Sequence, residues 1–364
     1  MKHSLLLLSI VVAATATTPT HAEKQAIRGA GSTFAAAAYT SWGFGYTKEK
    51  GVPVVYQATG SGDGIKQIVA HSVDFGATDY PLPPSELKKN GLIQIPTLVG
   101  GVVPVINLPG IKAGQLKLTA AMLVGIFNGS IASWSDRDIQ ALNPELKLPK
   151  LPILRFVRAE DSGTTAGFTE YLSKVDADWA SRFGSGLHVN WPKGFSTVKG
   201  NDGMANAVKE TPGAIGYVSA NQIGRASLVY PLLQNRSKQF IAPTDDALVA
   251  AVKSNVIARE GDRLSYVDMP GPGAWPITDA TYILVERSPK NVANATSVLR
   301  FFYWSFLRGD AMASEGGYVP LPANVQARAV GELRQVRDAQ DAPLDFMGQA
   351  WMSKLAQLSK IQPF

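Results

Sequence analysis

The chain has no cysteine and only four histidines among its 364 residues. Without cysteine there is no disulfide framework, no thiolate zinc site, no iron–sulfur cluster and no cysteine nucleophile. Two of the histidines, His3 and His21, lie in an N-terminal segment expected to be removed, which leaves His71 and His188. Two histidines without metal-ligand spacing argue against a histidine-built metal centre, so no metal and no cofactor are expected. No apolar run approaches the roughly 20 residues that cross a bilayer as a helix. The chain also lacks an internal repeat, a low-complexity linker and a basic stripe interleaved with aromatics, so nucleic-acid binding has no support.

What is present is a folding composition: 45% apolar and 18% charged residues, in a length that suits about two domains. The net charge of +6 and pI near 9.3 favour anionic ligands in general, but the charge is scattered. Residues 1–22 read as a secretory signal: Lys2, an apolar run over 5–14, and Ala22 before Glu23. No cysteine follows that run, so lipid anchoring there is chemically impossible. The mature chain is expected in the periplasm, exported and not membrane-attached.

Short β-branched runs alternate with helical patterns, which suggests an α/β protein. Strands are expected at 52–58, 73–77 and 281–286, with two more inside 93–107. Helices are expected over 64–70, 289–307, 321–339 and 345–358. Within the third-to-last of these, 289–307, Val292, Ala295, Leu299, Phe302 and Phe306 would form the core face. Trp351, Leu355 and Leu358 share one face of the last. Two crossings rich in Pro and Gly, near Val102 and Trp275, mark where the chain would leave one lobe and return.

Three Gly/Ser/Thr loops each lead into a helical pattern: 29–34 (GAGSTF), 59–64 (TGSGDG) and 158–165 (RAEDSGTT). A helix N-terminus offers unpaired N–H groups and a partial positive charge, and glycine lets the backbone approach an anion. None of the loops contains the Gly-Lys-Ser/Thr of a P-loop, and Ile65 stands where a dinucleotide fingerprint needs its third glycine, so nucleotide binding is not supported. Arg158 can give an oxyanion a two-pronged contact, and Asp79 lies just past a strand, where open α/β sheets bind ligands. On composition alone the local roles win, Arg158 as a surface ion-pair partner of Glu160 or Asp161 and Asp79 as a turn cap before Pro81; they lose ground only if the loops converge.

Eight ordered segments together carry a resemblance: GAGSTF, YQATGSGDGIKQI, VDFGATDYPL, LVGGVVPVINLPG, LTAAMLVGIFNGSIASW, LNPELKLP, VRAEDSGTTAGFTEYL and NWPKGF…KGNDGMANAVKETPGAIGYV. Their succession from about Gly29 to Tyr217, resuming near Tyr318, is similar to the periplasmic phosphate-binding proteins of bacterial ABC importers. The resemblance implies a two-lobed periplasmic-binding-protein fold of type II with the ligand cleft between lobes. Lobe 1 would hold 23–104 plus 279–340, lobe 2 would hold 105–278, and 341–364 would form an extension. It implies inorganic phosphate as ligand, the membrane permease subunits of the importer as partner, and action as a monomer that is not an enzyme. Thr33 and Phe34 would donate from the first loop, Ser61 from the second, and Ser162, Gly163 and Thr164 from the third. Arg158 would be the charged partner, and Asp79 would accept the ligand's proton, with Ser32 and Glu160 in support. Sulfate has no proton for Asp79, so it should be rejected; arsenate, which keeps one, is hardly excluded. An exported phosphatase with Ser61 or Ser162 as nucleophile is the rival from another class, weakened by the lack of histidines.

Two positions depart from the family pattern. Glu160 stands where Asp is common, and Asp161 where glycine is usual. Asp161 is expected to point to solvent and to weaken binding modestly.

Overall fold

The computed structural model describes residues 25–254 and 265–348. The expected signal at 1–22 and the face of Trp351, Leu355 and Leu358 lie outside the described residues. The alternating pattern becomes a sheet of nine strands with helices in the connections. Across it run Val54–Gln57, Ile27–Gly31, Phe75–Thr78, Thr278–Glu286, Leu92–Ile106, Ala214–Ser219, Leu154–Arg158 and Ser196–Val198, and Val319–Pro320 pairs with Leu92–Ile106 off this path. The first three are parallel to one another, as βαβ connections require. Thr278–Glu286 returns antiparallel between Phe75–Thr78 and Leu92–Ile106.

The two strands expected inside 93–107 are one strand of 15 residues, Leu92–Ile106. Up to Gly101 it pairs with Thr278–Glu286, and from Val102 it pairs with Ala214–Ser219. A strand buried throughout reads as a continuous apolar run, and nothing local in such a run says that its partner changes halfway. The return crossing lies beside it. Trp275 Nε1 donates to the Val102 carbonyl at 3.0 Å, and the Val102 N–H donates to the Ile277 carbonyl at 2.8 Å.

Each half of the sheet carries its own aromatic packing. On one side helix Ala36–Lys50 buries Tyr39, Trp42 and Tyr46, with Tyr39 edge-on to Tyr56 at 5.1 Å and Phe75 edge-on to Phe302 at 5.0 Å. On the other, helix Gly163–Val175 buries Phe168, Tyr171 and Leu172, with Phe168 stacked on Tyr217 at 4.5 Å and edge-on to Phe127 at 4.7 Å. Two packed bodies joined by adjacent strands make the two-lobed periplasmic-binding-protein architecture.

Local boundaries differ in informative ways. The helix expected at 64–70 is Ser61–Val69, so the serine of the second loop already belongs to its first turn. The helix expected at 289–307 is Val292–Arg308, and Val292 is exposed because it opens the helix directly after its cap Asn291. Leu299, Phe302 and Phe306 are buried as expected, joined by Val298 and Phe301, and Ala295 is half-buried. The helix expected over 321–339 is confined to Ala323–Leu333. Of the helix expected over 345–358, the four described residues 345–348 are irregular.

Candidate anion-binding site

The first strand ends at Gly31, whose φ of +135° belongs to glycine, and where a Cβ would lie 2.1 Å from the Ala77 carbonyl oxygen. That close approach lets the Ser32 N–H bond Ala77 at 2.9 Å and turns the Ser32 hydroxyl onto Asp79, at 2.6 and 2.8 Å from its two oxygens. The same hydroxyl accepts from the Ala35 N–H at 3.1 Å. Thr33 and Phe34 follow, immediately ahead of helix Ala36–Lys50.

The second loop is tied to the first by the Gly60 N–H, which donates to the Gly31 carbonyl at 2.8 Å. Ser61 Oγ lies 3.3 Å from Asp79 Oδ2 and accepts from the Asp79 N–H at 3.2 Å. The third loop begins where strand Leu154–Arg158 delivers Arg158. Ser162 caps helix Gly163–Val175 by accepting from the Thr165 N–H at 3.2 Å, and the first turn of that helix carries no acidic residue.

The three loops meet. The Gly62 N–H donates to the Asp161 carbonyl at 3.0 Å, and Arg158 Nη2 donates to Thr33 Oγ1 at 2.9 Å. Gly163 packs so close to the other lobe that a Cβ there would lie 2.4 Å from Asp79 Oδ2 and 2.6 Å from Ser61 Oγ. All ten residues singled out from the sequence therefore sit at one junction. Ser32, Phe34, Ser61, Asp79, Arg158, Ser162, Gly163 and Thr164 are buried there, with Thr33 and Glu160 half-buried.

Of the alternative local roles, the ion pair of Arg158 with Glu160 is present, but buried among the three loops and not at the surface, and the turn cap by Asp79 is not made. Arg158 is not a surface pair, because its side chain is 1% exposed. Its Nε and Nη2 both engage Glu160 Oε1, the first at 2.9 Å. Asp79 is not the turn cap, since the Tyr80 N–H is held by Thr78 Oγ1 at 3.0 Å instead. Burial drives the Asp79 carboxyl up to about 6, against the opposing pull of the Ser32 and Thr281 hydroxyls, the Arg158 charge and Ser61. Arg158 Nη1 and Glu160 Oε2 are buried without a hydrogen-bond partner. Among the described residues no group of three His, Cys, Asp or Glu side chains is placed to hold a metal ion. His71 is engaged with Glu286, Nδ1 to Oε1 at 2.8 Å.

Asp161 does not stand alone at the surface. It is partly exposed, yet its Oδ2 lies 3.4 Å from Lys66 Nζ on the second-loop helix, and its Cβ packs over Gly62. The extra negative charge is thus answered by a cation across the junction.

Sequence reasoning also missed supporting residues. Tyr318 Oη donates to the Phe34 carbonyl at 2.5 Å and accepts from Asn221 Nδ2 at 2.8 Å. The Gly200 N–H donates to Glu160 Oε1 at 3.0 Å, and Asn201 Nδ2 donates to Thr33 Oγ1 at 2.9 Å. The signal available for the last pair was small: a glycine and an asparagine opening a helical pattern in KGNDGMANAV.

Residues 14–308 match the family model for a PBP superfamily domain. The phosphate-binding protein PstS of Haemophilus influenzae is 42% identical over 305 residues, covering 84% of this chain and 91% of its own. The PstS of Xylella fastidiosa (strain Temecula1) is 41% identical over 316 residues, covering 86% of each. Among solved structures, the phosphate-binding protein from Stenotrophomonas maltophilia aligns with a TM-score of 0.62 at 21% identity, over 84% of this chain and 93% of that one, and so speaks for the fold. By sequence match over most of its length, this chain belongs to the PstS family of phosphate-binding proteins.

Proposed function

We propose that this chain binds inorganic phosphate between its lobes in the periplasm and delivers it to the membrane permease of an ABC importer. The observation that carries the reading is the pairing of one buried carboxylate with a surround of donors. Asp79 is 2% exposed and Arg158 3% exposed at the same junction, where two loops open helices. A fully deprotonated tetrahedral anion would meet Asp79 as an unsatisfied like charge. Phosphate at neutral pH keeps a proton: losing one at its mono-to-dianion step leaves a hydrogen phosphate dianion, whose last proton comes off only far above neutral pH. That proton can be donated to Asp79 while the remaining oxygens take donors from Thr33, Phe34, Ser61, Arg158, Ser162, Gly163 and Thr164. Arg158 Nη1, buried and unpartnered, is a charged donor suited to one of them. The lobes would divide near 101/102 and 277/278, where the sheet partners change, and closure would bring Gly163 against Asp79. Delivery requires no bond to be made or broken, and the relatives carry names of binding proteins.

Calorimetric titration of the phosphate-stripped protein with phosphate and then sulfate, at two salt concentrations, tests this. One-to-one phosphate binding without a sulfate response is expected. Tight sulfate binding would overturn the role of Asp79, and silence from both anions would overturn the reading.

The Lys66–Asp161 pair is exposed on both sides, so its contribution to closure is small and screened. Asp161→Gly is expected to weaken phosphate binding by no more than about threefold at low salt, with the difference gone near 0.5 M salt. Tighter binding by the glycine variant would show that repulsion of the anion outweighs the pair.

A further inference from the structure

We propose that Asn201 is a positioning residue for the anion site, fixing the Thr33 hydroxyl as a donor into the cleft; this rests on the phosphate-binding reading. A hydroxyl has one proton and two acceptor lone pairs. Thr33 Oγ1 receives Arg158 Nη2 at 2.9 Å and Asn201 Nδ2 at 2.9 Å, so both lone pairs are met by donors. What remains is the proton, and the hydroxyl can only donate to whatever lies beyond. Released from these two donors it could rotate and present a lone pair, which an oxyanion repels.

The orientation of Asn201 is fixed from its other end. Its Oδ1 accepts from the Ser219 N–H at 2.9 Å, and the residue is 2% exposed. Flipping the amide would set Nδ2 against the Ser219 N–H, losing that bond, and would turn Oδ1 to Thr33, where it would take the hydroxyl proton that is otherwise left for the cleft. The position therefore needs a side chain that accepts on one side and donates on the other, which asparagine does and aspartate, when ionised, does not. Asn201 sits in the first turn of helix Gly200–Glu210, and the N–H of neighbouring Gly200 holds Glu160, which in turn holds Arg158. One turn thus secures both donors to Thr33. Because Thr33 belongs to the opposite lobe, its hydroxyl is set this way only when the lobes are together.

The test is a double-mutant cycle in the full mature chain, read by phosphate titration: wild type, Asn201→Ala, Thr33→Val and the double variant. Asn201→Ala is expected to lose about tenfold in affinity, in keeping with one hydrogen bond acting through a neighbour. In the Thr33→Val background the same change should cost less than about twofold. A parallel cycle with Asn201→Asp keeps the Ser219 bond and the side-chain shape, which guards against a folding defect in the alanine variant. Its charge repulsion persists in the Thr33→Val background, so the cycle removes that contribution and leaves the loss of the donor. Equal losses in both backgrounds, or no loss in either, would overturn the proposal and leave Asn201 a purely structural residue. A wild-type chain that ignores phosphate would overturn the binding reading itself, at the first titration and before any variant is made.

Discussion

Asp79→Asn yields a protein that still binds phosphate but no longer excludes sulfate, with the ratio of the two affinities reduced by about a hundredfold or more. A site built around a donor on its ligand rejects an analogue lacking it by up to about 10⁴–10⁵. Here the rejecting group is a carboxylate that has little solvent to soften the encounter. Ser32 and Ser61 already surround it, and among the described residues no salt bridge reaches it. An amide at the same place offers an N–H to an unprotonated oxygen, so the like-charge penalty becomes a hydrogen bond. Paired phosphate and sulfate titrations of both proteins measure the ratio, and an unchanged ratio would remove Asp79 from the discrimination. The same substitution carries a stability signature in the ligand-free protein. Burial raises the folded-state value from 3.8 to about 6, so between those values the folded chain holds more protons than the unfolded one. Stability from this group is then fullest below pH 4 and falls as pH rises towards 6, by roughly 3 kcal/mol in all. Asp79→Asn lacks that fall, so its stability relative to wild type should improve between pH 4.5 and pH 7.5. Denaturant melts at the two pH values check it, and a gap independent of pH would show that the carboxyl is not perturbed. If the gap does improve with pH, the wild-type residue is one that selectivity retains against stability.

The loops were legible because their chemistry is local. Gly60, at a φ of +110°, opens one helix and the Ser162 side chain caps another, each within a few residues of an apolar helical stripe. Their convergence was not legible in the same way. Ser32 meets Asp79 across 47 positions and Arg158 meets Thr33 across 125, and no periodicity encodes those distances. For that step the order of eight segments, and the resemblance it carries, did what local reasoning could not. The parts read incorrectly or not at all are those whose meaning depends on a distant partner. The partner of Asp161 is Lys66, 95 positions away, and nothing local in Leu92–Ile106 tells one strand that changes partners from two strands. Tyr318 reaches Phe34 from 284 positions away, which leaves no trace in the sequence around either.

Arg158→Met should be the most damaging single change, lowering phosphate affinity by about 10²–10³-fold and costing about 3 kcal/mol of stability. The two losses have separate origins. Affinity falls because the charged donor goes, and with it one of the two bonds that orient Thr33. Stability falls because Glu160 is left behind: its Oε1 keeps the Gly200 N–H at 3.0 Å, and its Oε2 is already buried without a partner. An ionised carboxylate in that position, deprived of its cation, is the costly half of a broken buried pair. The double variant Arg158→Met/Glu160→Gln should therefore recover most of the stability and none of the affinity. Arg158→Lys should recover little of either, since a point charge cannot span Glu160 and Thr33 as the planar guanidinium does. Thermal melts and phosphate titrations of the three proteins separate the effects. If the double variant regained phosphate binding, the arginine would be present to neutralise Glu160 and not to hold the anion. If Arg158→Met left stability intact, Glu160 would be taking its proton or its solvent from elsewhere, and the pair would matter for the ligand alone.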